Sequence, residues 1–93
     1  MKAYYLEGSQ GSYDCYTEWI FNNTVYLKYE LVLFEVDRLK EFLERHKKII
    51  PIGGVDYRFL TYEGAEELRE IDSEFTGATE DIEYTIREVN LKD

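Results

Sequence analysis

Cys15 and His46 are the single thiol and the single imidazole of the chain, so any Cys–His nucleophilic chemistry must use both. Such a pair needs hydrogen-bond reach and a third group to orient the base. Cys15 falls in an alternating stretch, where a cysteine more often serves as a small core residue. His46 falls near a helix end, where a cationic ring complements the helix dipole. No second Cys or His is present to complete a zinc site. Glu7, Asp14 and Glu18 could converge as oxygen ligands for Mg²⁺ or Ca²⁺, but their spacing is not that of a defined calcium loop. Gly8-Ser9-Gln10-Gly11-Ser12 has the composition of a phosphate cradle, yet no Lys-Ser/Thr follows and no helix starts there, so a hairpin turn is expected. These residues predict no catalytic group, metal or cofactor.

The remaining chemistry is charge. Residues 1–50 hold seven bases and eight acids, a net of −1, whereas residues 51–93 hold four and twelve, a net of −8. Residues 63–83 contain Glu63, Glu66, Glu67, Glu70, Asp72, Glu74, Glu80, Asp81 and Glu83 against one base, Arg69. On a helix, Glu63, Glu66, Glu67, Glu70 and Glu74 fall within a stripe of roughly 100°. Five like-charge pairs at i,i+3 and i,i+4 cost on the order of 1–2 kcal/mol together. A helix shaped for solubility alone would interleave lysines. A row of carboxylates presents charge much as a nucleic-acid backbone does, and a Lys/Arg groove is built to receive such a row. Glu80, Asp81 and Glu83 would extend it. The plainer alternative is a solvated helix whose first acids favour the positive end of the dipole.

The elements that must carry these residues follow from periodicity. Residues 2–7 read as a strand ending at the Gly-Ser turn, and residues 13–21 alternate, with Tyr13, Cys15, Thr17, Trp19 and Phe21 on one face. Asn22-Asn23 marks a turn, and the two strands should pair as a hairpin. Residues 24–36 alternate Val25, Leu27, Tyr29, Leu31 and Leu33, which predicts a third strand. Asp37 reads as the N-cap of a helix over 38–48, with Leu39, Phe42, Leu43 and His46 on its buried face. Ile49-Ile50-Pro51-Ile52-Gly53-Gly54 reads as a connection. A strand over 55–62 and a helix over 63–75 follow, the helix closed by Gly77. Residues 82–91 also fit a helical period, but their β-branched content favours a strand, with a register shift at Val89 and Leu91 as a bulge would give. Tyr13, Tyr16, Trp19, Phe21, Tyr26 and Tyr29 supply core, and Tyr16 and Tyr26 fit an interface as well.

The order is therefore βββαβαβ: one α+β domain over 1–93, a mainly antiparallel sheet of about five strands with two helices on one face. With 44% hydrophobic and 33% charged residues the chain has the composition of a folded globular protein. A net charge of −9 works against direct contact with nucleic acid or anionic membrane and favours a basic protein partner. One cysteine, no signal-like apolar run and no membrane-length apolar segment point to the cytoplasm.

The opening Gly-Ser-Gln-Gly-Ser-Tyr-Asp-Cys-Tyr-Thr-Glu-Trp-Ile, after a short strand, resembles the start of small α+β proteins encoded by bacteriophages and mobile elements. The long alternating strand before the helix departs from that pattern. Size and acidity also resemble the anti-restriction and anti-CRISPR inhibitors, several families of which mimic DNA. That likeness transfers no residues. It implies a non-enzymatic inhibitor of a basic nucleic-acid-binding protein, such as a nuclease effector; the charge pattern itself places the binding surface at Glu63, Glu66, Glu67, Glu70, Glu74, Glu80, Asp81 and Glu83. The alternative is an assembly module that forms a homodimer through its aromatic sheet surface.

Overall fold

The computed structural model describes residues 1–11 and 16–92; Tyr13, Asp14 and Cys15, and the expectations placed on them, lie outside those residues. Among the described residues the chain forms β1 (Lys2–Gln10), β2 (Thr17–Ile20), a 3₁₀ turn (Phe21–Asn23), α1 (Tyr29–Arg45), β3 (Lys47–Ile52), β4 (Val55–Leu60), α2 (Tyr62–Ile71) and β5 (Glu83–Asn90). This is the expected α+β class with five strands and two helices, but the order is ββαββαβ. The strands divide into an antiparallel sheet β2-β1-β5 and a separate β3-β4 hairpin.

The expected strand over 24–36 does not form. Residues 29–36 belong to α1, and Asp37, expected to cap the helix, lies within it. Val32, Val36, Leu39 and Phe42 follow the helical period and are buried, while Leu31 and Leu33, which shared one face of the expected strand, are exposed. Extending a helix adds one hydrogen bond per residue fixed, so a chain already helical over 38–45 propagates back through Glu, Leu and Phe. A strand there would have needed new partners. Lys28 occupies the N-cap without a side-chain hydrogen bond.

The expected connection over 49–54 is instead the second half of β3 and a tight turn. Gly53 and Gly54 have φ of 59° and 82°, the paired left-handed residues of a type I′ hairpin turn. Pro51 stands opposite Asp56. Having no N–H, it must sit at a position whose donor would point away from β4, and there it also blunts the free edge of β3. The hairpin is pinned at its base: Leu60 N donates to Thr79 O at 2.8 Å, Asp81 N to Arg58 O at 3.0 Å and Thr61 N to His46 O at 2.9 Å. Its outer half, residues 51–56, is exposed, and the molecule is 52 Å long against 25 and 18 Å in the other directions.

In the three-stranded sheet β5 pairs with β1 from Ser9↔Glu83 to Lys2↔Asn90 with no inserted residue, so the expected bulge is absent. Asn22 and Asn23 take left-handed φ of 49° and 50°, as a turn at that point requires. Leu6 stands opposite Ile86, and Gly8 lies between Trp19 and Tyr84, so these side chains share one face. That face meets the buried sides of both helices in a single core containing Val32, Leu39, Phe42, Leu68 and Phe75. Gly8 is required there: a Cβ would lie 2.4 Å from the Trp19 indole.

Candidate functional site

The acidic face is built on α2. Thr61 caps the helix, its Oγ1 accepting from Gly64 N at 3.1 Å, and Glu63 stands in the first turn, where the dipole favours a carboxylate. Gly64, Ala65 and Leu68 are buried. At 100° per residue Glu63, Glu66 and Glu70 then fall within about 60° on the opposite side, facing solvent. Glu67 is turned toward α1, its Oε2 at 3.4 Å from His46 Nε2, and it shares a groove with Arg38 and Arg45.

The helix stops four residues earlier than its periodicity predicts, because Asp72 is recruited elsewhere. Asp72 is only 1% exposed. Its Oδ2 accepts from Trp19 Nε1 and Tyr84 Oη, both at 2.7 Å. Its Oδ1 accepts from the backbone N–H of Asn22 at 3.0 Å and of Glu74 at 3.1 Å. One carboxylate thus joins β2, the 3₁₀ turn, the end of α2 and β5, and its negative charge is met by four donors rather than a cation. Burial first, and the adjoining Asp72 carboxylate second, raise the Tyr84 hydroxyl far above the ordinary tyrosine range. Gly77, expected to close the helix, lies well beyond it, beside Arg69.

Glu74 consequently lies past the helix end, exposed. Glu80, Asp81 and Glu83 do not prolong the row. Glu80 bridges Phe59 along β4, and Asp81 pairs with Arg58 at 3.0 Å. Asp81 and Glu83 line a cleft of about 270 Å³ with Glu44, Lys40, Lys47 and Arg58 around its rim and the apolar Leu43, Phe59 and Ile82 among its walls. Acids and bases are matched around that rim, so it selects no charge. The structure therefore gathers Glu63, Glu66 and Glu70, sets Glu67 at their side, and separates the other four. Of the three, Glu66 approaches Arg69 at 3.8 Å; among the described residues Glu63 and Glu70 form no ion pair.

Sequence reasoning missed a second acidic row. With residues 29–45 helical, Glu30, Asp37 and Glu41 share the outer side of α1, all exposed. The signal was the helical period of Val32, Val36 and Leu39, masked by alternating leucines. His46 caps α1, its ring 4.5 Å from that of Phe42, and Glu7 is held by Arg87 at 3.1 Å. Among the described residues no cluster of three or more His, Cys, Asp or Glu is arranged to hold a metal ion, and no helix is long and apolar enough to cross a membrane. Comparison with protein-family models, with curated proteins and with solved structures gives no match to this chain.

Proposed function

We propose that this chain is a non-enzymatic binding protein that occupies the cationic groove of a nucleic-acid-handling protein, the outward carboxylates of α2 taking the place of phosphates. The observation that carries this reading is the placement of Glu63, Glu66 and Glu70 in one solvent-facing row on a capped helix, with the bases of α1 and the hairpin kept to other sides. Along the helix axis the row offers about one charge per 5 Å, against about one per 3.4 Å along a DNA strand. A formed helix holds that row with no backbone ordering cost on binding. The partner implied is a basic protein such as a nuclease effector, and an inhibitor of the kind phages direct against host defence fits the size and charge.

The test is displacement of a fluorescent DNA duplex from a panel of DNA-binding nucleases. The protein should displace duplex from its target and lose that ability steeply between about 50 and 200 mM salt, as phosphate-like contacts require. Glu66→Lys with Glu70→Lys should abolish displacement while circular dichroism stays unchanged. Displacement that survives both changes rules the reading out.

A further inference from the structure

Three large apolar side chains stand uncovered at and just before the start of α1. Leu27 is 63%, Leu31 54% and Phe34 66% exposed. Leu31 and Phe34 are helical neighbours, and Leu27 lies just outside the helix, before its N-cap Lys28. Their exposure has a geometric cause. The groove between the helices brings Ile71, the last residue of α2, against Arg38 and Leu39. α2 thus lies beside the second half of α1 and ends before the turns that carry Leu31 and Phe34. Single exposed leucines are ordinary, but two large helical neighbours, with a third exposed leucine just before the helix, make an apolar surface of the kind that marks an interaction site.

The charges around the patch define what it can accept. Glu30 lies four residues before Phe34, and Asp37 and Glu41 lie three and seven after it, on the same side of the helix. Among the described residues none of the three forms an ion pair. An aromatic anchor ringed by polar groups is the arrangement of a binding hot spot. We propose that this face docks an amphipathic helix of a partner protein, its apolar ridge seated on Leu31 and Phe34 and its Lys or Arg side chains set against Glu30, Asp37 and Glu41. A second copy of the chain is a poor occupant. Each carries a net charge of −9, and two α1 helices packed antiparallel bring like flanks together, so the acidic row would face itself. The proposal stands apart from the α2 reading and uses none of its carboxylates.

The probe is a synthetic Leu/Lys peptide helix with one apolar face, titrated into the intact, isotope-labelled protein. Amide resonances over Leu27–Glu41 should shift on binding. Leu31→Ser with Phe34→Ser should weaken binding at least tenfold, about the loss of one hot spot. Because both side chains are exposed, the melting temperature should hold within a few degrees. Glu66→Lys with Glu70→Lys, which tests the α2 reading, should leave this affinity within about threefold, since those charges are remote and screened. Three results overturn the proposal: equal affinity for a peptide with Leu replaced by Gln, resonance shifts confined to α2, or sedimentation as a dimer that Phe34→Ser converts to monomer.

Discussion

Asp72 ties β2, the 3₁₀ turn, the end of α2 and β5 together through one buried carboxylate. A carboxylate buried without a cation is tolerated only when its lone pairs are filled, and here each oxygen accepts two hydrogen bonds. Among the described residues no buried side-chain polar atom is left without a partner. Asp72→Asn keeps the shape but replaces an acceptor with a donor facing other donors. It should cost about 3 kcal/mol in urea unfolding, a large share of a small domain's stability. Tyr84 adds a pH signature. Its folded pKa lies far above the unfolded value of 10 because of burial and the neighbouring Asp72. Above pH 10 the unfolded chain therefore binds fewer protons than the folded one, and stability falls as pH rises. The loss is about 1.4 kcal/mol per pH unit from this group. Tyr84→Phe should be less stable at pH 8, and its deficit should shrink from pH 10 to 11. A deficit that stays constant would mean the hydroxyl is not held in its neutral form.

At the scale of elements, the sequence was readable where one period dominated. β1, α2 and β5 were legible in outline from apolar content, helical spacing and β-branched residues respectively, although β1 runs on through Gly8, Ser9 and Gln10, which were expected to turn. α1 was not, because Val25, Leu27, Tyr29, Leu31 and Leu33 alternate while Val32, Val36 and Leu39 keep the helical period, and only packing chose between them. The residues that fit the strand are the ones left exposed. The hairpin was hidden by Pro51, which suggested a break, although paired glycines between apolar runs are a turn signal. The end of α2 was hidden because two of the four partners of Asp72 lie about fifty residues away, at Trp19 and Asn22. Two glycines report these decisions separately. A Cβ at Gly64 would lie 2.7 Å from His46 Cβ, where α2 approaches the end of α1. Gly64→Ala should therefore destabilise by about 1–3 kcal/mol, although alanine is favoured over glycine in helices by about 1 kcal/mol. Gly54→Ala meets nothing within 4 Å but must adopt φ of 82°, so it should cost about 1–2 kcal/mol from backbone strain alone. A thermal scan in which Gly64→Ala melts above the parent would place α2 farther from His46 than this packing.

The whole molecule separates its charges by side. Arg38, Arg45 and His46 lie where α2 crosses α1, and Lys40, Lys47 and Arg58 ring the cleft at the hairpin base. The pairs Lys47–Glu44, Arg58–Asp81 and His46–Glu67 join one element to the next. Among the described residues Glu63 and Glu70 on α2 and Glu30, Asp37 and Glu41 on α1 lie outside any ion pair, in a chain of net charge −9. Such rows work against folding, because neighbouring carboxylates one turn apart repel by a few tenths of a kcal/mol each and the net charge adds a longer-range penalty. Surface acids kept only for solubility and acids kept for binding then differ in the sign of their linked effects. Glu70→Lys turns the repulsive contacts with Glu66 and Glu67 into attractive ones, so the variant should be more stable by about 1 kcal/mol, raising the melting temperature by roughly 4–8 °C at low salt. The gain should shrink toward zero in about 0.5 M NaCl, where surface charges are screened. If the α2 row serves a cationic groove, this more stable protein should displace DNA from its nuclease target less well than the parent. Measured together, higher melting temperature with weaker displacement identifies a row that costs stability and serves binding. A gain in stability with undiminished displacement identifies an acidic face that acts only on solubility.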